Sequence, residues 1–506
     1  MLRSAPVQPS ASRTLALVAS VGSVLFVATV AATPGSPFQP VLPAAAQPSG
    51  PFRALAEALG FGSLSPGTLA AVGVVAVASA AAAFVLVIRE AWYGRLSVRT
   101  VVVLTLAYHV VVALLPLLFS RDVYSYAYYG RIASTYGANP YVSTPADFPN
   151  DVLHLYVGPK WFDTPAVYGP LWTLVSAGVV RVFTNVTAII VAFRALAIVA
   201  SVATFATIGW VVRSRWPSRQ GFALAAFGLN PVVLFQSVGS GHNDLWVGLA
   251  VIGGLALLVA KRPYLAVAAL TMGALVKASA GVAVMLLVVG LIAAASRERR
   301  ARVAASAIGT AGAVALVFAA PFLQSEDPTL GMLELATHEG WLAPSRFVRR
   351  ILDIVSLGAV ARVAFAVALI VALGALVVRV VRAAPRMGPD DHGAVWGWGL
   401  LLLILLGPVL LPWYVTWVLP LVWVLPRVPR LATLGTGVAL TVSQFTAEPG
   451  RFRAAYDANL LFGHYVITPF IVVLLGWLLV DLRRRLRDGA PLADEPEREP
   501  AHDRDG

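Results

Sequence analysis

The chain has 506 residues, of which 58% are hydrophobic and 12% charged, against roughly a quarter charged in an ordinary soluble domain, so lipid must be its principal solvent. Its apolar runs, rich in Ala, Val, Leu and Gly, are long enough to select helices over a barrel. The formal charge of +13 sits largely in Arg clusters between those runs, as an orientation signal and not a nucleic-acid footprint, and with no cysteine there is no disulfide, thiolate metal site or Cys nucleophile.

The first apolar run, Thr14 to Thr33, follows Arg3 and Arg13 and is longer than the roughly 7–15 residues of a signal-peptide core, so it reads as a retained helix. Further spans are expected near 67–88, 99–119, 186–212, 219–237, 243–260, 263–279, 281–296, 301–322, 359–382, 393–411, 414–426, 430–446 and 461–481, which makes about 13–14 helices. The short members around Lys277 and after Trp413 read either as full spans or as re-entrant, broken segments, which are tolerated where protein covers the backbone. Tyr168–Phe183 would reach only about 24 Å as a helix against a core of about 30 Å, so it is placed in the interface.

With that parity, the loops carrying Arg89/Arg95/Arg99, Arg213/Arg215/Arg219, Lys261/Arg262, Arg297/Arg299/Arg300/Arg302, Arg379/Arg382/Arg386, Arg427/Arg430 and Arg483–Arg487 all fall on one side, the cytoplasm. The expected protein is an all-α polytopic membrane protein of the plasma membrane with both termini cytoplasmic. Its order is a short N-terminus (1–13), N-terminal helices with a Pro/Ala/Ser-rich outer spacer (14–119), a large extracytoplasmic loop with an interfacial helix (120–183), a transmembrane core (184–482) and a disordered cytoplasmic tail (483–506). The segments 324–345 and 446–459 also fall outside.

Chemistry is expected at the outer ends of the helices. Asp122 follows the third span directly, where a carboxylate can accept a hydroxyl proton as an oxocarbenium-like centre develops; alternatively it caps the next helix and pairs with Arg121 or Arg131. Around it lie Tyr124, Tyr128-Tyr129-Gly130-Arg131, the turn Gly137-Ala138-Asn139-Pro140-Tyr141 and Tyr168-Gly169-Pro170, aromatics that either stack on sugars or anchor at the interface. A second polar cluster, Gly239-Ser240-Gly241-His242-Asn243-Asp244, offers groups for phosphate or acceptor, or a helix cap. Lys277 interrupts an apolar stretch and is suited to a lipid phosphate, or else snorkels. Arg346, Arg349 and Arg350 lie outside against the orientation rule and call for an anion, or for Glu334, Glu339 or Asp353. Leu411-Pro412-Trp413-Tyr414 reads as an anchor or a sugar groove, and Arg194, inside a span, as an internally paired charge.

Asp122-Val-Tyr-Ser-Tyr, Gly137-Ala-Asn-Pro-Tyr, Tyr168-Gly-Pro-Leu, Gly241-His-Asn-Asp, Val276-Lys-Ala-Ser and Leu411-Pro-Trp-Tyr, in this order, resemble the actinobacterial polyprenyl-phosphate-mannose-dependent α-1,6-mannosyltransferases of lipomannan and lipoarabinomannan assembly. The likeness runs from about residue 100 to 480. It implies a GT-C glycosyltransferase bundle, Asp122 as base in the first large outer loop, a polyprenyl-phosphate mannose donor, a lipid-anchored mannan acceptor and an inverting transfer. Arg121, Arg131, His242, Lys277, Arg346 and Arg349 are then candidates for the donor phosphate, and Tyr124, Tyr129, Asn139, Tyr141, Tyr168, Asn243, Asp244, Trp413 and Tyr414 for sugar and acceptor. Asp122-Val123-Tyr124 is not a paired Asp-x-Asp, so neither metal nor other cofactor is expected. No Gly-rich phosphate loop between strand and helix is present, which favours a lipid donor over a nucleotide sugar. Two other readings fit the same composition: a flippase or transporter of polyprenyl-linked glycans, and a transferase using another lipid-linked sugar such as arabinofuranose.

Overall fold

Apolar runs with no internal proline fold as uninterrupted helices, and prolines and glycines break the rest where the polar motifs lie. In the computed structural model, residues 11–42, 51–158, 161–323, 330–332 and 338–494 are described. Among them the helices in chain order are α1 (Ala11–Ala32), α2 (Pro51–Ala58), α3 (Pro66–Trp92), α4 (Val98–Ala113), α5 (Asp122–Ser134), α6 (Pro170–Val182), α7 (Val186–Arg215), α8 (Gln220–Gly228) and α9 (Asp244–Val259). They continue with α10 (Pro263–Ala274), α11 (Gly281–Ala294), α12 (Arg300–Ala319), α13 (Pro344–Asp353), α14 (Gly358–Ala383), α15 (Pro389–Leu406), α16 (Arg427–Val442), α17 (Arg453–Phe462) and α18 (Thr468–Asp488). The protein is an all-α polytopic membrane protein.

Among the described residues seven helical segments are long and apolar enough to cross a bilayer, and five shorter apolar helices accompany them. Of the two readings for 414–426 the broken one holds: the segment is two short turns, Pro412–Trp417 and Leu419–Leu421, since Pro412 and Pro420 each remove a backbone donor. The span expected at 219–237 is among these seven, as Pro217–Val238, but its helix is broken: α8 ends at Gly228 and the chain resumes as the wide turn Val232–Val238 after Asn230-Pro231. There Asn230 Oδ1 accepts the Val232 N–H at 3.0 Å, replacing a helical partner that proline geometry withholds. These breaks carry irregular backbone to depth, and protein covers it: Val232–Val238 and Pro412–Leu421 are buried throughout.

The core is formed by α7, α9, α10, α15 and the broken segments, with Trp396, Trp398 and Trp423 fully buried. On one flank α1 packs along α3, and buried small residues of both helices, Ala28 and Ala31 on α1 and Ala76, Ala80 and Ala83 on α3, let two helices approach in lipid without a hydrophobic drive. On another, α12 and α14 present Ile308, Leu316, Val363, Val367 and Ile370 outward, as lipid-facing helices do.

The Arg-rich ends converge. Arg219 and Arg430 both donate to Asp494, at 2.8 and 2.7 Å, Arg215 meets Asp390 at 2.9 Å, and Arg430 sits 4.1 Å from the Trp92 ring centroid. The tail expected to be disordered from Arg483 onward is therefore ordered as far as Asp494: α18 continues to Asp488, Leu492 is buried, and its carbonyl accepts Trp398 Nε1–H at 3.1 Å. One carboxylate shared by two guanidiniums and a buried leucine hold it there. Residues 495–506 and 1–10, with parts of the spacer (43–50) and of the outer loop at 324–345, Glu334 included, lie outside the described residues.

Candidate active site

At the other end of the bundle the polar motifs meet. Helix α15, beginning beside Asp390, runs about 27 Å before Gly407 ends it, and the chain then enters Leu411-Pro412-Trp413. Helix α4 ends at Ala113, where Arg194 of α7 donates to the carbonyls of Val112 and Leu115. A buried guanidinium thus satisfies acceptors that a helix C-terminus leaves open, which is the internal partner expected for Arg194. Beyond it Phe119 adopts φ +55°, and its N–H bonds to the Phe38 carbonyl at 2.8 Å. Leu118 bonds the 239–243 turn twice: its N–H donates to Gly239 O at 3.2 Å, and its carbonyl accepts Ser240 Oγ–H at 2.6 Å. Gly241 in that turn has φ +71°, and a Cβ there would lie 2.7 Å from Val123 Cγ1. Two stretches about 120 residues apart in sequence are locked side by side.

This lock brings Asp122 to His242. Asp122 Oδ1 accepts from Ser120 Oγ at 2.9 Å, Oδ2 accepts from the Tyr168 hydroxyl at 3.4 Å, and His242 Nδ1 lies 3.5 Å from Oδ2. The carboxylate is a quarter exposed while the imidazole is fully buried. Tyr126, one turn along α5 from Asp122, reaches His242 Nδ1 at 3.4 Å and Asn243 Oδ1 at 3.3 Å. Trp413 stacks on the His242 ring at 3.6 Å between centroids. His242 Nε2, Asn243 Nδ2, Trp413 Nε1 and the Tyr124 hydroxyl are buried without a hydrogen-bond partner among the described residues, a group of donors and acceptors left to whatever binds beside Asp122.

Burial pushes the His242 imidazole down to about 3, so it is neutral at physiological pH and acts by hydrogen bonding and stacking, not by charge. Because the unfolded imidazole would protonate below about pH 6.5 and the folded one would not, His242 makes the fold lose stability as pH falls from about 6.5 toward 3. His242→Gln should flatten the fall of melting temperature between pH 6.5 and 4 in detergent; an unchanged slope would show that other groups set it. Burial and the Asp122 charge raise the phenols of Tyr126, Tyr129 and Tyr168, which therefore remain protonated donors.

Next to this group is a buried ion pair. Lys277, in the break between α10 and α11, donates to both oxygens of Asp244 at 2.9 and 3.1 Å, and Trp417 Nε1–H donates to Oδ1 at 2.8 Å. The ammonium lies 4.4 Å from the Tyr414 ring centroid and 5.6 Å from that of Trp417. Burial works against the charged lysine, but Asp244 outweighs it and holds the pKa above the ordinary value. The lysine expected to reach for a lipid phosphate already has its carboxylate. The same break docks the Tyr168 turn: Gly169 N–H donates to Val276 O at 3.0 Å and Leu171 N–H to Leu275 O at 3.1 Å. A Cβ on Gly169 would sit 2.1 Å from Leu275 O. Gly169→Ala should therefore lose both bonds, about 1 kcal/mol each, and carry Tyr168 away from Asp122. A lowered melting temperature together with reduced activity is expected; wild-type values for both would refute the docking role.

Most of the other candidates have partners of their own. Arg121 is bonded through Nε and Nη2 to Glu448 and to the Val41 carbonyl, and Arg131 pairs with Asp151 at 2.7 Å. Tyr124 stacks on Tyr156 at 5.1 Å, and Tyr129 donates to Thr164 O at 2.9 Å. Asn139 folds its own turn by accepting Tyr141 N–H at 3.1 Å, and Tyr141 donates to Tyr168 O at 2.8 Å, so both support the loop. Arg349 joins Glu339 at 2.9 Å and Asp353 at 3.2 Å, whereas Arg346 has no ion-pair partner among the described residues and is held below its ordinary pKa by burial and by neighbouring Arg350. Gly340 N–H bonds Pro408 O at 2.8 Å, tying the Arg346 segment to the chain leading into Trp413. Sequence reasoning passed over Ser120, Tyr126 and Trp417 as site residues. Ser120 and Tyr126 stand two before and four after Asp122, a legible signal; for Trp417, nothing local marks its Asp244 partner.

Residues 25–295 match the family model described as alpha-(1->6)-mannopyranosyltransferase, N-terminal domain, a span that includes Asp122, His242, Asp244 and Lys277. The chain belongs to this family. It is 30% identical over 341 residues to alpha-(1->6)-mannopyranosyltransferase A of Mycobacterium tuberculosis, covering 63% of this chain and 65% of that protein. Over 178 residues it is 34% identical to alpha-(1->6)-mannopyranosyltransferase A of Corynebacterium glutamicum, covering 33% of this chain and 35% of that one. The match thus spans just under two thirds of the mycobacterial relative's length, and the family region ends before Arg346 and Trp413.

Proposed function

We propose that the protein is a membrane mannosyltransferase that moves mannose from polyprenyl-phosphate mannose to a lipid-anchored α-1,6-mannan, with inversion, at the extracytoplasmic face. The observation that carries this reading is Asp122: a partly exposed carboxylate, oriented by Ser120 and Tyr168 and bordered by buried, unpartnered polar atoms of His242, Asn243 and Trp413. Family membership and the relatives' names support the sugar and the linkage.

In the proposed reaction the acceptor hydroxyl attacks the anomeric carbon of a β-linked donor. Its proton passes to Asp122, the bond from anomeric carbon to phosphate oxygen breaks, and polyprenyl phosphate departs with the electron pair. One displacement gives the α product. Neutral His242, stacked by Trp413, offers Nε2 to a sugar hydroxyl, and Arg346, which has no ion-pair partner among the described residues, is assigned to the phosphate. Lys277 and Asp244 hold the Tyr414–Trp417 wall instead. With the Arg-rich end cytoplasmic, Asp122 faces outward and a lipid donor reaches it from the bilayer.

The test is transfer of labelled mannose by the purified protein to a short α-1,6-mannoside. Polyprenyl-phosphate mannose should serve as donor, and a nucleotide-linked mannose should not; polyprenyl-phosphate arabinofuranose working alone would replace the sugar while keeping the site. Transfer from none of these would reject the reading.

A further inference from the structure

We propose that the end of the bundle opposite Asp122 carries a binding site for the headgroup of an anionic glycerophospholipid, between α14, α15 and the returning tail. A cavity of about 280 Å³ is lined there by Arg379, Arg382 and Arg386 with Asp391, Pro491 and Leu492 among its other walls. Three guanidiniums face one carboxylate, and that carboxylate is partly engaged, since Asp391 Oδ2 accepts Gly388 N–H at 2.9 Å at the start of α15.

Arginines at a cytoplasmic helix end ordinarily need no ligand, because orientation of the chain accounts for them. Their neighbours show what an occupied arginine looks like here. Arg215 has Asp390, Arg219 and Arg430 share Asp494, and Arg485 has Asp481. Arg382 and Arg386 have no such carboxylate among the described residues, yet both border the same concavity. Arg379 builds its wall: it donates to the carbonyls of Gly489 and Ala490, each at 3.2 Å, folding the tail across the opening. The tail is pinned from behind by Trp398 Nε1–H on Leu492 O at 3.1 Å. A basic pocket with a built wall is an anion site, and guanidiniums pair with phosphate by forked hydrogen bonds.

The lipid follows from the surroundings. Helix α14 is apolar and largely bare toward the bilayer, with Ile370, Val371, Val378 and Val381 all exposed. Acyl chains lying along that face place their phosphate beside the last turn, where Arg379 and Arg382 stand. The volume matches a headgroup; ligand cavities for larger soluble molecules run to about 1,000 Å³. Basic pockets between transmembrane helices take anionic headgroups in this way.

The full-length protein in detergent, examined by native mass spectrometry, should retain phosphatidylglycerol in preference to phosphatidylcholine. Arg382→Gln/Arg386→Gln should weaken that retention by at least about tenfold, and Arg382→Lys/Arg386→Lys should restore much of it. As a measurement needing no variant, a photoreactive phosphatidylglycerol should label residues 379–395 or 489–492 of the wild type. Equal retention of the two lipids, retention unaffected by the Gln pair, or labelling confined to other segments would overturn the site. Displacement of the lipid by millimolar inorganic phosphate would overturn its lipid character and leave a soluble-anion site. Mannose transfer at Asp122 plays no part in any of these readouts, so they stand or fall apart from the proposed function.

Discussion

Asp122→Asn is expected to lower mannose transfer on the order of 10³-fold while the protein folds normally. Asparagine keeps the shape and still accepts from Ser120 Oγ, which lies 2.9 Å away in the wild type. The Tyr168 hydroxyl and His242 Nδ1, at 3.4 and 3.5 Å from Oδ2, can each turn toward an amide as acceptors, so little packing energy is at stake. On the proposed mechanism what is lost is the group that takes the acceptor's proton, and general-base catalysis of this kind contributes about 10²–10⁴-fold. The neutral His242 is a poor substitute, because burial holds it down to about 3. The measurement is the initial rate of labelled mannose transfer by both proteins, with melting temperature and gel-filtration profile compared. A folded variant within a few-fold of the wild-type rate would make Asp122 a structural cap and move the base elsewhere.

Asp244→Asn should be the most destabilising conservative change in this region. The carboxylate is wholly buried and meets Lys277 and Trp417 with both its oxygens; removing its charge leaves an ammonium buried without a counter-ion, at a cost of about 3–5 kcal/mol. Lys277→Met strands the carboxylate and should cost a similar amount. The double variant Asp244→Asn/Lys277→Met removes both charges and should recover most of the loss, because paired changes in one network do not add. Thermal unfolding of the four proteins in one detergent gives the cycle. If the two single losses simply summed in the double variant, the pair would contribute no coupling, and the Tyr414–Trp417 wall would be held by packing alone.

Legibility of this molecule divides along physical lines. Helical class, lipid as solvent and the clustering of arginines at one end were open to direct reading, because long apolar runs and short basic loops are local properties. Asp122, His242 and Tyr168 were also visible as polar residues at helix ends. Their meeting was not: it depends on the Phe119 turn bonding Phe38, on Gly241 admitting Val123, and on Gly169 lying against the Leu275 carbonyl. Hydropathy left the segment after Trp413 open between a full span and a broken one, and the prolines decide for two short turns.

The charged residues show the same division. Arg121, Arg131 and Lys277 each looked available for phosphate. Their carboxylates, Glu448, Asp151 and Asp244, stand 327, 20 and 33 positions away, and nothing at the arginine or lysine itself announces them. The tail, polar enough to suggest disorder, is folded to Asp494 because Arg219, just before α8, and Arg430 of α16 hold one carboxylate. By itself the sequence determined the solvent, the helices and which polar residues stand at their ends, all consequences of composition and short-range period. Only the tertiary structure decided which charges are already neutralised and which remain for a ligand, because ion pairing in a protein of low dielectric is settled by partners that the chain brings from far away.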